Sequence, residues 1–299
     1  MKRYPLVDVM KYVAAILVIL VHCGRLHSNP VIHFALKSLL CRLAVPFFFI
    51  STAYVLRERM SEPVYFASYC RKLFRSYCWW SFIYLPLGIF YVLNQLDLPV
   101  WMYPAAFFAG FFVTGAYYHL WYIPALVIGF GLALYLQKKL GYVLSFFIAG
   151  TFYLFGGIET YSGYLEGSWL KSAYDFYRIV FFSPRNGLMF ALVFILLGFL
   201  LSDRKISISC KKLSVYTMLS VTGLLFEGWL IYQNQGYDKN ILFAHVPVSC
   251  CLILWATKKC ACADSLLLGA LQQTLLFHPS ADFIFNGTAS CQVGRIYIW

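Results

Sequence analysis

Asp8, Lys11 and His22 stand in one apolar run, and their spacing aligns them. Between Lys11 and His22 lie ten residues, nine of them Val, Ala, Ile or Leu and the tenth Tyr12. Eleven positions make three helical turns plus about 20°, so the two groups share a face roughly 16 Å apart. Asp8 lies one turn before Lys11 on nearly the same side. Ionisable groups inside a membrane helix are costly, so they face a partner or a water-filled cavity. The plain alternative is a charge pair reaching for the membrane surface plus a hydrogen-bonded histidine.

Four further positions belong with His22 if the N-terminus is cytoplasmic. His119 opens a span from the outside, Arg185-Asn186-Gly187 opens another, Glu227 sits deep in a third toward its outer end, and Asp238 follows in an outer loop. If the spans bundle, these groups form one outward-facing site. A histidine there suits a general base acting on a hydroxyl, steadied by a carboxylate or an arginine. The same residues suit a zwitterion, with Arg185 for a carboxylate and Glu227 or Asp238 for an ammonium. Residue types leave both open. On the inner side Arg71, Lys72 and Arg75 read as a positive anchor meeting anionic lipid, or as a phosphate clamp for a cytosolic donor such as a CoA thioester.

The elements that must position these groups are membrane helices. Of 299 residues, 61% are hydrophobic and 12% charged, where a soluble domain carries about 25% charge. Expected spans run 9–27, 40–56, 77–94, 119–139, 141–157, 187–202, 213–232 and 240–257. A basic loop fills 57–75, an aromatic stretch broken by Pro and Gly at 98–118 reads as re-entrant or interfacial, and 158–185 reads as a polar, aromatic loop.

The net charge of +12 comes in short clusters between apolar runs, the positive-inside pattern and not a nucleic-acid face. With the N-terminus inside, inner segments hold fifteen Lys and Arg against seven outside. The ten cysteines lie in apolar runs or beside basic clusters, which favours reduced thiols, and Cys260-Ala-Cys262 lacks a second pair for zinc. No bound metal or cofactor is expected. After 258 the composition turns mixed, and 259–299 offers at most one weak span.

Lys11 with His22, Lys72-Leu73-Phe74-Arg75, Ala44-Val45-Pro46-Phe47-Phe48-Phe49 and His119-Leu120-Trp121-Tyr122 together resemble the acyltransferase-3 family of integral membrane proteins. Lys11 and Lys72 stand where that family usually carries Arg, a planar fork that a lysine does not supply. Thr52-Ala53-Tyr54 replaces its Ser-Gly-aromatic. Arg185-Asn186-Gly187, Glu227 and Asp238 bring the nearest likeness to the membrane domain of vancomycin-resistance serine racemases, over roughly 4–258. There the resemblance implies binding or import of L-serine, with a cytosolic racemase domain as partner. The family continues through a Leu-His-Pro stretch, resembled by Phe277-His278-Pro279, so the tail reads as truncated or frame-shifted.

The expectation is therefore an all-α, multi-pass membrane bundle of about eight to ten helices, N-terminus cytoplasmic, with residues 1–258 as the family domain. It sits in the cell membrane, in contact with lipid and with a small-molecule or cell-envelope substrate. The family-level expectation is acyl transfer from a cytosolic acyl-CoA co-substrate to an extracytoplasmic hydroxyl. His22 would be the base, Lys11 and Asp8 its support, and Arg71, Lys72 and Arg75 the donor contacts. The alternative is a non-catalytic L-serine module using His119, Arg185, Glu227 and Asp238.

Overall fold

The computed structural model describes residues 4–95, 103, 104, 108, 111, 115, 120–204, 206 and 208–258. His119, the tail beyond 258 and most of 98–118 lie outside it. The regular structure among the described residues is helical, and each of the eight expected spans overlaps a helix. Five helices are long and apolar enough to cross a membrane.

Helix α1, Pro5–His22, begins with a proline in its first turn, where the missing N–H costs nothing. Helix α2, Pro30–Met60, is capped by Asn29, whose Oδ1 accepts from Val31 N at 2.9 Å and Ile32 N at 3.3 Å. It is not uniform. A π-helical stretch, Ala35–Leu40, runs into a 3₁₀ turn, Cys41–Leu43, before regular helix resumes. Helix α3, Pro63–Gln95, absorbs most of the expected basic loop into one 33-residue helix.

Helices α4 (122–140) and α5 (142–161) form one 40-residue helical run broken at Gly141, whose φ is 69° and ψ −179°. A Cβ there would meet nothing within 4 Å, so the backbone conformation, not space, calls for glycine. The chain folds back at this point. Gly129 of α4 and Gly156 of α5 both press on one stretch of chain, near Gly187 and Ala191 for the first and Pro184 and Met189 for the second. The expected break after Lys138-Lys139 thus falls on Gly141. The expected loop 158–185 is largely ordered: α5 runs on to Tyr161, and α6, Trp169–Phe181, starts at the cap Ser168, whose Oγ accepts from Lys171 N at 3.3 Å. Helix α7 is Gly187–Arg204, α8 Cys210–Gln233 and α9 His245–Thr257.

Helices α2 and α7 form the centre. A Cβ on Gly198 of α7 would stand 2.6 Å from the Ile50 carbonyl oxygen and 2.6 Å from Ala53 Cβ of α2. Lipid tails are as apolar as leucine, so helices gain by packing closely, and a glycine at the crossing allows it. Phe49, Ile50, Phe130, Phe194 and Phe199 are wholly buried around that contact. Helix α1 packs on the flank of α2, and α8 lies outermost, with Val215, Met218 and Leu219 exposed.

Charge gathers at the two ends of the bundle. At one, Arg57 of α2 makes a two-pronged ion pair with Asp203 of α7, Nε to Oδ1 at 2.9 Å and Nη2 to Oδ2 at 2.8 Å. Gln137 of α4 accepts from the same guanidinium at 3.1 Å, and Tyr142 of α5 donates to Asp203 at 2.5 Å. Four helices are tied at one point. The other end carries His22, Arg42, Arg185 and Asp238.

Candidate functional site

A cavity of about 730 Å³ opens between α1, α2 and α3 at the end bearing His22. Its walls are Ala15, Val18, Ile19, Val21 and His22 of α1, Cys41, Arg42, Val45 and Phe48 of α2, and Trp80 and Tyr84 of α3. Residues 120–123, Arg185, Phe190 and Asn240 complete it. Both arginines stand next to irregular helix. Arg42 lies in the 3₁₀ turn that follows one π-helical stretch, and Arg185 stands just before the other, Gly187–Ala191. Such insertions in a helix are frequent at functional sites because they re-aim side chains and free carbonyls. Asn186 holds the second in place, its Oδ1 accepting from Leu188 N at 3.0 Å and Met189 N at 2.9 Å.

A relay of side chains backs the polar end. Arg42 Nη2 donates to Asp238 Oδ1 at 2.6 Å and Nη1 to Asn240 Oδ1 at 2.6 Å. Asn240 Nδ2 in turn donates to Asp238 Oδ2 at 2.9 Å and to Glu159 Oε2 at 2.7 Å. Burial pushes the Asp238 carboxyl up, but Arg42, the Lys239 N–H and the more distant Arg185 together hold it below the usual carboxylate value. Arg185 is engaged more lightly. Its Nε donates to Ser183 Oγ at 3.2 Å, its guanidinium lies 5.9 Å from the Trp121 ring centroid, and among the described residues it forms no ion pair within 4 Å. The cavity wall thus carries two cations, Arg42 and Arg185, and the amide of Asn240, with the carboxylates of Asp238 and Glu159 hydrogen-bonded behind that amide.

Tyr237 steadies the loop that bears Asp238. Its ring lies under the Arg178 guanidinium of α6 at 4.2 Å, and its hydroxyl donates to Asp175 at 2.9 Å while accepting from Lys171 at 2.7 Å.

The candidate residues part company here. His22 and Arg185 line the cavity, and Asp238 stands directly behind Arg42. Glu227 does not line it. Its carboxylate accepts from Phe243 N at 2.6 Å, Ala244 N at 2.7 Å and the Tyr161 hydroxyl, satisfying backbone donors at the start of α9. Lys11 and Asp8 lie toward the other end of α1, Asp8 exposed, and neither lines the cavity. Arg71 is exposed, while Lys72 and Arg75 share an open groove with Ser76, Cys78, Trp79 and Phe82. At 100° per residue that groove faces roughly 140° round α3 from Trp80 and Tyr84. His119 lies outside the described residues.

Arg42, Asn240 and Glu159 are the site residues that sequence reasoning missed. A carboxylate just past an apolar run, as at Glu159, needs a partner, and that was the one available signal.

A family model described as an acyltransferase domain, acyltransferase-3, matches residues 4–273, and the chain belongs to this family of membrane proteins. Among curated proteins it is similar to a serine/alanine racemase of Enterococcus gallinarum, 28% identical over 253 residues, which covers 81% of this chain and 35% of the racemase. An amino-acid racemase of Enterococcus faecalis is 29% identical over 247 residues, 80% of this chain and 33% of that protein. The chain thus spans about a third of the length of these relatives. No solved structure matches it significantly.

Proposed function

We propose that the chain is a membrane-embedded recognition module for a small zwitterionic amino acid, L-serine or a near analogue, with its mouth on the extracytoplasmic face. The observation that carries this is the polar end of the cavity. Arg185 would take the ligand's carboxylate, and Asn240, which lines the cavity and is backed by Asp238 and Glu159, would receive its ammonium. The relatives supply the ligand class, since their names are those of serine/alanine and amino-acid racemases. Fifteen basic residues in the segments on the Lys2 side argue for a cytoplasmic N-terminus, which puts the cavity outside. Delivery of the amino acid to a cytosolic racemase is the role that fits such a module.

Acyl transfer is the second reading, favoured by the place of His22 in the same cavity and by the family. Two placements and the relatives weaken it. Lys11 and Asp8 stand about 16 Å or more from His22 along α1. The Lys72–Arg75 groove faces away from the cavity. The relatives described above are named as racemases. Binding of L-serine and of acetyl-CoA to the purified protein, measured side by side, separates the two. Saturable serine binding without acetyl-CoA binding supports the module. Acetyl-CoA binding lost in Arg75→Ala, with acyl transfer lost in His22→Ala, supports the enzyme and overturns the module.

A further inference from the structure

A second concavity, of about 540 Å³, lies at the His22 end of the bundle and shares no wall residue with the first. Among the described residues Arg25, Lys37 and Lys239 line it, with His33 beside them, and no Asp or Glu does. Two of the cations are fixed by backbone oxygens. Lys37 Nζ donates to the Cys23 carbonyl at 2.7 Å and the Gly24 carbonyl at 3.3 Å. Arg25 Nε donates to the His27 carbonyl at 3.0 Å, and its Nη2 donates to the Ser28 carbonyl. Such acceptors orient a cation and leave its net charge in place. Among the described residues none of the three forms an ion pair within 4 Å, and Asp238, next to Lys239 in sequence, is already paired with Arg42. Leu26 N donates to His33 Nδ1 at 3.2 Å, which puts the imidazole proton on Nε2 as a further donor.

The concavity stands at head-group level. Helix α1 has ended at His22, α2 opens at Pro30 and α8 ends at Gln233, so the apolar helix faces stop here. Its floor is aromatic, with Phe34 meeting Tyr232 edge-on at 5.2 Å between ring centroids. Tyr232 also heads a stripe of α8. At 100° per residue Val221, Leu225 and Tyr232 lie within about 40° of one another. Val221 is 40% exposed and Leu225 58%, and Trp229, about 60° round from Tyr232, is exposed as aromatic side chains at a membrane boundary are. Uncompensated cations therefore stand above an apolar track that runs down to membrane depth. The phosphate and the acyl chain of one lipid are arranged in the same order.

We propose that this concavity binds the phosphate of one anionic phospholipid, whose acyl chain lies along the Val221–Leu225 stripe of α8. Charge complementarity selects the occupant. Three cations with no acid among the lining residues suit a head group of net negative charge, such as phosphatidylglycerol, whereas a choline head group would bring in a further cation. A free phosphate would meet the cations and leave the stripe unused. The bilayer, by contrast, holds lipid phosphates at this level at high local concentration. The proposal rests on the walls of this concavity and on α8, and it stands or falls separately from the amino-acid reading.

The test is native mass spectrometry of the full chain released from detergent, with no serine present. Phosphatidylglycerol is titrated in one arm, phosphatidylcholine with the same acyl chains in a second, and inorganic phosphate in a third. One saturable phosphatidylglycerol adduct is expected, at least about tenfold tighter than phosphatidylcholine, with no phosphate adduct at matched concentration. Lys239→Gln should weaken it about fivefold, and Lys239→Gln with Arg25→Gln about twenty-fivefold, the worth of one and of two basic residues beside an anionic head group. Lys239 Nζ makes no hydrogen bond among the described residues, so the single variant decides even if the double one fails to fold. Lys211→Gln with Lys212→Gln, at the other end of α8, should leave the affinity within about twofold of wild type. Equal affinity for the two lipids, or adducts that accumulate without saturating, would mean annular lipid only and overturn the proposal. An equal loss in the Lys211 and Lys212 variant would reduce it to general surface charge. Phosphate that binds as tightly as phosphatidylglycerol would make this a free-anion site and remove the lipid. Calorimetry that finds no serine binding on the same preparation, with the lipid adduct intact, would sink the amino-acid reading and leave this one standing.

Discussion

Arg42 and Asp238 lie 196 positions apart in sequence, yet Arg42 Nη2 is 2.6 Å from Asp238 Oδ1. The pair joins the 3₁₀ turn of α2 to the loop before α9, so it both closes the His22 end of the bundle and sets the charge behind the cavity. Because Asp238 is held below the usual carboxylate value, the pair contributes stability that is fully present above about pH 4 and is lost as pH falls through the lower folded-state value. Asp238→Asn should cost about 2 kcal/mol at neutral pH and flatten the acid limb of the stability profile. Thermal unfolding in detergent from pH 7 down to about pH 3 checks this. An acid limb identical to wild type would remove Asp238 from the pair's pH dependence.

Glu227 is expected to matter for folding more than for ligand. Its carboxylate satisfies two backbone N–H groups at the start of α9 and the Tyr161 hydroxyl. Glu227→Ala should therefore destabilise the protein by about 3 kcal/mol. Serine affinity in the remaining folded fraction should stay within about twofold of wild type. Unchanged thermal stability with affinity gone would place Glu227 in the site instead.

The Arg57–Asp203 pair makes a sharper prediction because both partners belong to a four-helix tie. Arg57→Ala leaves the Asp203 carboxylate without its cation and should cost about 3 kcal/mol, and Asp203→Ala should do similarly. The double substitution should cost clearly less than the two added together, because neither charge is left stranded. Strict additivity in a double-mutant cycle would show the two residues acting independently.

Much of the scaffold could be read from sequence. Apolar runs of spanning length and the Lys138-Lys139 boundary beside Gly141 are local signals, and the structure follows them. Helix α6 was hidden because its aromatic and basic residues read as loop polarity, although Tyr174 is wholly buried on its inner face. The site was half legible. His22 and Arg185 announced themselves as costly groups in apolar surroundings. Arg42, Asn240 and Glu159 did not, because what joins them is tertiary: contacts across 81 to 198 positions of sequence that no periodicity encodes. Glu227 was legible as a costly group in the same way as His22 and Arg185. A buried carboxylate needs a partner, and sequence does not say whether that partner is a ligand or the backbone donors at a helix start.

In the proposed function Arg185 receives the carboxylate of an amino acid. Titration calorimetry of L-serine into wild type, Arg185→Ala and Arg75→Ala, all purified in the same detergent, checks this. Saturable binding to wild type, retained in Arg75→Ala and weakened at least about a hundredfold in Arg185→Ala, is the expected result, since that factor corresponds to about 3 kcal/mol for a charge-assisted contact. Serine binding that survives in Arg185→Ala, or that disappears in Arg75→Ala, would contradict it.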